Sequence, residues 1–172
     1  MTDWQTPRVL YDELSRCVGG FVVDAAASAD NHLAPVWYGP GSSVSEDALA
    51  VDVWDSPAFC NPPYGKGIEK WLKKFVEQQK FGNTVVALLP ARTEVRWWFD
   101  WVVPYASVVF LVGRVPFVDP GRSKPTQPDH GSAVCLYEPN VAGGSVAWLD
   151  WKERIKEQGA IHKTGPTELV VG

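Results

Sequence analysis

The sequence is poor in residues that staple a chain or ligate a metal. It has three cysteines, one methionine and three histidines in 172 residues. Cys17, Cys60 and Cys135 are odd in number and far apart, so they read as reduced thiols and not as a disulfide frame or a zinc site. His32, His130 and His162 lack metal-ligand spacing, so no metal is expected. No apolar run reaches the roughly 18 residues a membrane-spanning helix needs. Met1, Thr2, Asp3 and Trp4 do not form a basic segment leading into an apolar one, so no secretory signal is expected. A cytoplasmic protein without membrane contact is the expectation. No internal repeat is visible.

What is present is ordinary for a globular domain: 45% hydrophobic and 21% charged residues. The length predicts one domain over residues 1–164, with 165–172 as a loose tail. The net charge of -4 hides an asymmetry. Residues 1–60 carry nine acids and two bases, whereas residues 61–130 carry ten bases and six acids. The acidic total argues against generic nucleic-acid binding, and the basic middle third keeps that partner open. Nine tryptophans supply core area or flat walls for a planar ligand.

The chain alternates strand and helix signals. Thr6-Pro7 predicts a helix start, with Thr6 as cap and Val9, Leu10 and Leu14 as the apolar face. Residues 21–24 predict a short buried strand ending in Asp24, followed by the small residues Ala25 to Ala27. Short strands are predicted at 48–53 and 58–60. Ile68, Trp71, Leu72, Phe75 and Val76 recur at helical spacing, with Lys66, Lys70, Lys73 and Lys74 on the other side. Strands follow at 84–89, 107–112, 115–118 and 133–137, with helices at 94–102 and 147–158. The last two strands read as a pair joined by the loop from Asp119 to Gly131. This pattern predicts an α/β sandwich: a mostly parallel sheet with an antiparallel terminal strand pair and helices on both faces.

The segment richest in chemistry is Asn61-Pro62-Pro63-Tyr64, between a strand and a helix, where an open α/β sheet places its ligands. It suits methyl transfer to a planar exocyclic amine. Such a nitrogen is a weak nucleophile because its lone pair is delocalised into the ring. The Asn61 side-chain oxygen and the Pro62 carbonyl can accept its N–H groups and favour the pyramidal nitrogen of the transition state. Pro62 and Pro63 stiffen the loop. Tyr64 offers a face on which a base can stack, once that base has left its duplex. Asn-Pro also opens ordinary turns, so the tetrapeptide alone leaves a structural reading open.

Six segments in order resemble the phage and prophage type of DNA adenine-N6 methyltransferase. They are Trp4-Gln5-Thr6-Pro7, Val23 to Ser28, Asp47 to Trp54, Cys60 to Gly65, Leu88 to Thr93 and Gly113 to Phe117. The resemblance implies a Rossmann-like class I methyltransferase core with S-adenosylmethionine as methyl donor, in a bacterial host cell. It places Thr6 and Pro7 near the methionine end of the cofactor, Asp24, Ala25 and Ala26 in the cofactor loop, and Asp52 near the cofactor's adenine. Asn61, Pro62, Pro63 and Tyr64 form the catalytic loop. The resemblance also implies that the substrate is a flipped adenine in duplex DNA. Two features depart from the pattern: Val53 separates Asp52 from Trp54, and the cofactor loop lacks its usual glycines.

Candidate DNA contacts are Lys66, Arg92, Arg96, Arg114, Phe117, Arg122 and Lys124, the cations for phosphate and Phe117 for the second face of the base. Two alternatives stay open. One is methylation of another planar amine or amide, such as an RNA base or a protein glutamine. The other is a non-catalytic DNA-binding module on a decayed methyltransferase fold. The recognised sequence and the oligomeric state are not legible in the residues.

Overall fold

The computed structural model describes residues 4–118 and 128–164, with side chains through residue 158. Seven strands form one sheet: β1 (Val23–Asp24), β2 (Val36–Trp37), β3 (Ala58–Cys60), β4 (Val85–Pro90), β5 (Ser107–Leu111), β6 (Ser132–Tyr137) and β7 (Val146–Leu149). Their order is β2-β1-β3-β4-β6-β5-β7. Every pairing is parallel except those of β6 with β4 and with β5, so β6 alone runs against the rest. The helices are α1 (Arg8–Cys17), α2 (Ile68–Lys80), α3 (Arg96–Trp101) and α4 (Trp151–Thr164). This is the α/β architecture with a mostly parallel sheet that the sequence pattern predicts, and it is consistent with the Rossmann-like core that the resemblance implies.

Alternation along the central strands divides the core in two. Ala58, Cys60, Val85, Ala87 and Leu89 pack with Leu72 and Phe75 of α2 and Trp98 of α3. Phe59, Val86 and Leu88 pack with Leu10, Tyr11 and Leu14 of α1 and Trp151 of α4. Val9, expected on the apolar face of α1, is 54% exposed. Behind the second layer, the buried Glu13 pairs with Arg16 and with Arg154, tying α1 to α4.

Four local expectations are revised. Residues 48–53 hold a 3-10 turn (Ala48–Ala50), because the Asp47 carboxylate accepts from the Leu49 N–H at 2.9 Å and the Trp54 indole donates to the Ala48 carbonyl at 2.9 Å. Residues 115–118 form no strand: Val118 makes an isolated antiparallel bridge with Gln5, and Pro116 lacks the donor a ladder needs. The antiparallel partners of β6 are therefore β4 and β5. Residues 146–149 pair with β5, and α4 starts only after Asp150, whose carboxylate accepts from the Glu153 N–H at 3.1 Å. Finally, α1 begins after Pro7, whose carbonyl accepts from Leu10 and Tyr11, and Thr6 makes no capping bond. The tail at 165–172 lies outside the described residues.

The order places β2 on one side of β1 and β3 on the other, a topological switch point. Ligands of such sheets lie beyond the carboxyl ends of the strands at that point. Here those ends lead into Ala25 and Asn61.

Candidate active site

A cavity of about 450 Å³ opens at this switch point. That size suits a small-molecule site. Its walls come from the loop after β1 (Asp24 to Ser28), the loop after β3 (Asn61 to Tyr64), and Thr6, Tyr38, Asp47, Trp71 and His130.

At the β1 end, Asp24 is 4% exposed. Its carboxylate accepts from the backbone N–H of Leu33 at 3.1 Å and of Ala26 at 3.5 Å. Burial raises the carboxyl pKa from 3.8 to about 6, against the lowering effect of those two N–H groups and of His32. Ala25 is fully buried and Ala26 and Ala27 add only methyl groups, so backbone lines the floor. Gly39 is required beside it. Its φ is +144°, and a Cβ there would lie 1.8 Å from the Ala27 carbonyl oxygen. Thr6 is 7% exposed, and its hydroxyl has no hydrogen-bond partner among the described residues.

At the β3 end, the Asn61 side-chain N–H donates to the Trp4 carbonyl at 2.9 Å. This engages one of the two N–H groups of the amide, and the side-chain oxygen has no hydrogen-bond partner among the described residues. Pro62 is buried and its carbonyl has no partner among the described residues. The Tyr64 hydroxyl donates to the Leu88 carbonyl at 3.1 Å, and burial pushes its pKa well up. The ring of Tyr64 is thereby anchored, with Trp4 edge-on to it at 6.1 Å between centroids. Burial also pushes the neighbouring Cys60 thiol well above its usual pKa, so it is not a thiolate nucleophile.

The DNA N-6-adenine-methyltransferase (Dam) family model matches residues 2–160. The chain belongs to that family. It is also 27% identical over 111 residues to the DNA N-6-adenine-methyltransferase of Escherichia phage T1, a stretch covering 63% of this chain and 44% of that relative.

Methyltransferases of this kind imply a methyl donor, and the cavity residues fit S-adenosylmethionine. A buried carboxylate stands at one end for the ammonium or the ribose hydroxyls. An unpartnered buried hydroxyl, Thr6, stands in the wall, and the alanine floor admits the body of the molecule. Among the described residues no cluster of His, Cys, Asp and Glu could hold a metal ion, and no helix is long and apolar enough to cross a membrane.

The other expected site residues fall in several places. Pro7 is not in the cavity wall; it precedes α1. Asp52 is exposed and outside the wall, and its carbonyl accepts from the Gln78 side chain at 2.7 Å. The acids in the wall on that side are Glu46 and Asp47. Trp54, one residue beyond the inserted Val53, is 2% exposed and packs in the core. Phe117 is fully buried and outside the wall, stacked on Trp4 at 5.6 Å, so it does not face a base here.

Lys66, Arg92, Arg96 and Arg114 are exposed, in segments that follow the carboxyl ends of β3, β4 and β5. Arg92 pairs with Glu94 and Arg96 with Asp100, both at 2.9 Å, and Arg114 donates to the Pro128 carbonyl at 2.7 Å. Lys74 turns inward instead: it is 7% exposed and pairs with Glu77 at 2.8 Å. Arg122 and Lys124 lie outside the described residues.

Sequence reasoning gave no role to Trp4, Tyr38, Asp47, Trp71 or His130. Asp47 had a readable signal, an acid directly before the short turn Ala48–Ala50. Trp4, Tyr38, Trp71 and His130 reach the cavity through long-range packing that no local pattern announces.

Proposed function

We propose that this chain transfers a methyl group from S-adenosylmethionine to the N6 amine of an adenine flipped out of duplex DNA. One observation carries the reading. Asp24, with its buried carboxylate, and Asn61 and Pro62, whose side-chain oxygen and carbonyl have no hydrogen-bond partner among the described residues, line the same cavity at the switch point. The first suits the charged donor and the other two suit an amine, so the reactants would meet between them.

When bound, S-adenosylmethionine supplies an electrophilic methyl group on a sulfonium. Asp24 would receive its ammonium or ribose hydroxyls, Thr6 would offer a hydroxyl, and the alanines would exclude water. Asn61 and Pro62 would each accept an N–H of the adenine amine and hold the nitrogen pyramidal. The carbon–sulfur bond would break as the nitrogen–carbon bond forms, and the sulfur would leave as a neutral thioether. The nitrogen would give up one N–H proton toward the acceptor it is hydrogen-bonded to. The prolines hold both acceptors in place before the reaction, so little reorganisation is needed. Tyr64, anchored through Leu88, gives the base a fixed face. Lys66, Arg92, Arg96 and Arg114 would meet phosphates along the same edge, orienting the duplex without reading its sequence. We further propose that residues 1–164 act as one domain in the cytoplasm of a bacterial host.

The test is methyl transfer from labelled cofactor to duplex DNA, RNA and protein in parallel, with the modified base identified by mass spectrometry. N6-methyladenine in DNA supports the reading. Label confined to RNA or protein moves the acceptor to another planar amine or amide. A folded protein that binds DNA and never the cofactor supports the non-catalytic module.

A further inference from the structure

We infer that Trp4 is a positioning residue for the methyl transfer, acting through Asn61. This inference rests on the methyl-transfer reading above. An asparagine amide can sit in its pocket either way round, and only one orientation presents the oxygen to an amine. The Trp4 carbonyl, 2.9 Å from the Asn61 nitrogen, favours that orientation, because a flip would bring two oxygens together. The hold is only as firm as the segment that carries the carbonyl.

Three groups fix that segment. The Trp4 ring stacks on Phe117, with centroids 5.6 Å apart and planes at 18°. Its neighbours are Tyr64 at 6.1 Å and His130 at 6.5 Å. The next residue, Gln5, exchanges two backbone hydrogen bonds with Val118, at 2.8 and 3.0 Å. Residue 6 is then the threonine in the cavity wall. Residues 4–6 thus form a strap that touches the acceptor loop at one end and the cofactor wall at the other. Phe117, buried and out of reach of a base, holds the strap down. This accounts for an aromatic side chain that the cavity itself does not use.

The experiment compares Trp4→Ala and Trp4→Phe with wild type. Single-turnover methylation of duplex DNA is measured at saturating cofactor, with calorimetric cofactor affinity and a thermal melt beside it. In the apo protein, the Asn61 side-chain amide is followed by nitrogen-15 NMR, assigned by its loss in Asn61→Ala. Trp4→Ala should slow the single-turnover rate about 10- to 100-fold, the scale of a misplaced reacting group. Its cofactor affinity should fall by less than the rate does, because Thr6 at the far end of the strap loosens while Asp24, the charged contact, is untouched. The Asn61 amide should lose its hydrogen-bonded shift and exchange freely with solvent. The backbone carbonyl survives in both variants; Trp4→Phe also keeps an aromatic ring for the stack on Phe117 and should stay within about threefold of wild type in rate. A Trp4→Ala rate near wild type, or an Asn61 amide signal indifferent to that change, overturns the inference. If wild type itself methylates nothing, the methyl-transfer reading fails. The amide signal then decides on its own whether Trp4 holds Asn61.

Discussion

The loops that leave β1 and β3 start side by side from one sheet edge, yet they solve opposite problems. The β1 loop buries a group that can carry charge. Asp24 is 4% exposed and is held by two backbone N–H groups. The Asn61 to Tyr64 stretch of the β3 loop carries no ionised group: its tools are an amide oxygen, a carbonyl and a phenol kept neutral by burial. Binding a cationic donor calls for charge, and burial makes that charge strong at the expense of a raised pKa. Reacting with a neutral amine calls for direction, which prolines and a fixed amide supply at any pH near neutral. Binding should therefore be sensitive to pH and charge at one loop, while chemistry should be sensitive to geometry at the other.

The sharpest way to break that division is Asn61→Ala. The rate at saturating cofactor should fall about 10²- to 10³-fold, the scale for losing one transition-state hydrogen-bonding group. Calorimetric affinity for S-adenosylmethionine should be nearly unchanged. A large loss of affinity would show that the two loops are not separable. Next in size is Asp24→Ala. Losing a charge-assisted hydrogen bond of about 1.5–3 kcal/mol should weaken cofactor binding about 10- to 100-fold. The rate extrapolated to saturating cofactor should change far less. Unchanged affinity would remove Asp24 from the cofactor site.

Smaller again is the effect of Gly39→Ala. The new Cβ would meet the Ala27 carbonyl oxygen at 1.8 Å, a backbone atom of the β1 loop that cannot swing aside. The substitution should lower stability by about 1–3 kcal/mol and weaken cofactor binding several-fold. A thermal melt and the same titration check both, and a neutral effect on each would mean that this contact is dispensable.

Much of this edge was legible because its signals are local. A strand ending in an acid before small residues, and Asn-Pro-Pro-Tyr between strand and helix, both sit in short contiguous stretches. The two-layer pattern also followed from alternation in residues 84–89 and helical spacing in α2. What was not legible depended on distant partners. Residues 133–137 read correctly as a strand, but inserting it between β4 and β5 is a choice among pairings that the strand itself does not encode. Ala147 to Leu149 read from the sequence as the first turn of the last helix, but they pair with β5 as part of β7. Thr6-Pro7 has the grammar of a capped helix start, yet Pro7 takes over the start and the Thr6 hydroxyl is left for the cavity. Asp52 and Phe117 were placed by position in a pattern. Neither position announces that the side chain is turned away from the cavity or covered.

The smallest expected effect sets the two loops apart within one unmutated protein. Asp24 titrates near 6, and the donor's partner is its anion. Affinity for S-adenosylmethionine should hold from pH 8 to pH 7, then fall toward about tenfold weaker by pH 5 as the carboxylate takes up its proton. The single-turnover rate at saturating cofactor should stay flat over the same range, since the Asn61 to Tyr64 stretch has nothing to titrate there. Stability of the apo protein must run the other way at this residue. A carboxyl whose pKa is raised on folding keeps its proton in the native state when the unfolded chain has already released it. Its contribution is therefore most favourable below pH 4 and is lost as pH rises from about 4 to about 6. Asp24→Asn removes that dependence, so its melting temperature relative to wild type should climb across the same interval while cofactor binding stays weak at every pH. A flat difference between the two melting curves would mean that the carboxylate is not paying a burial penalty, and the charge-against-geometry division would lose its first half.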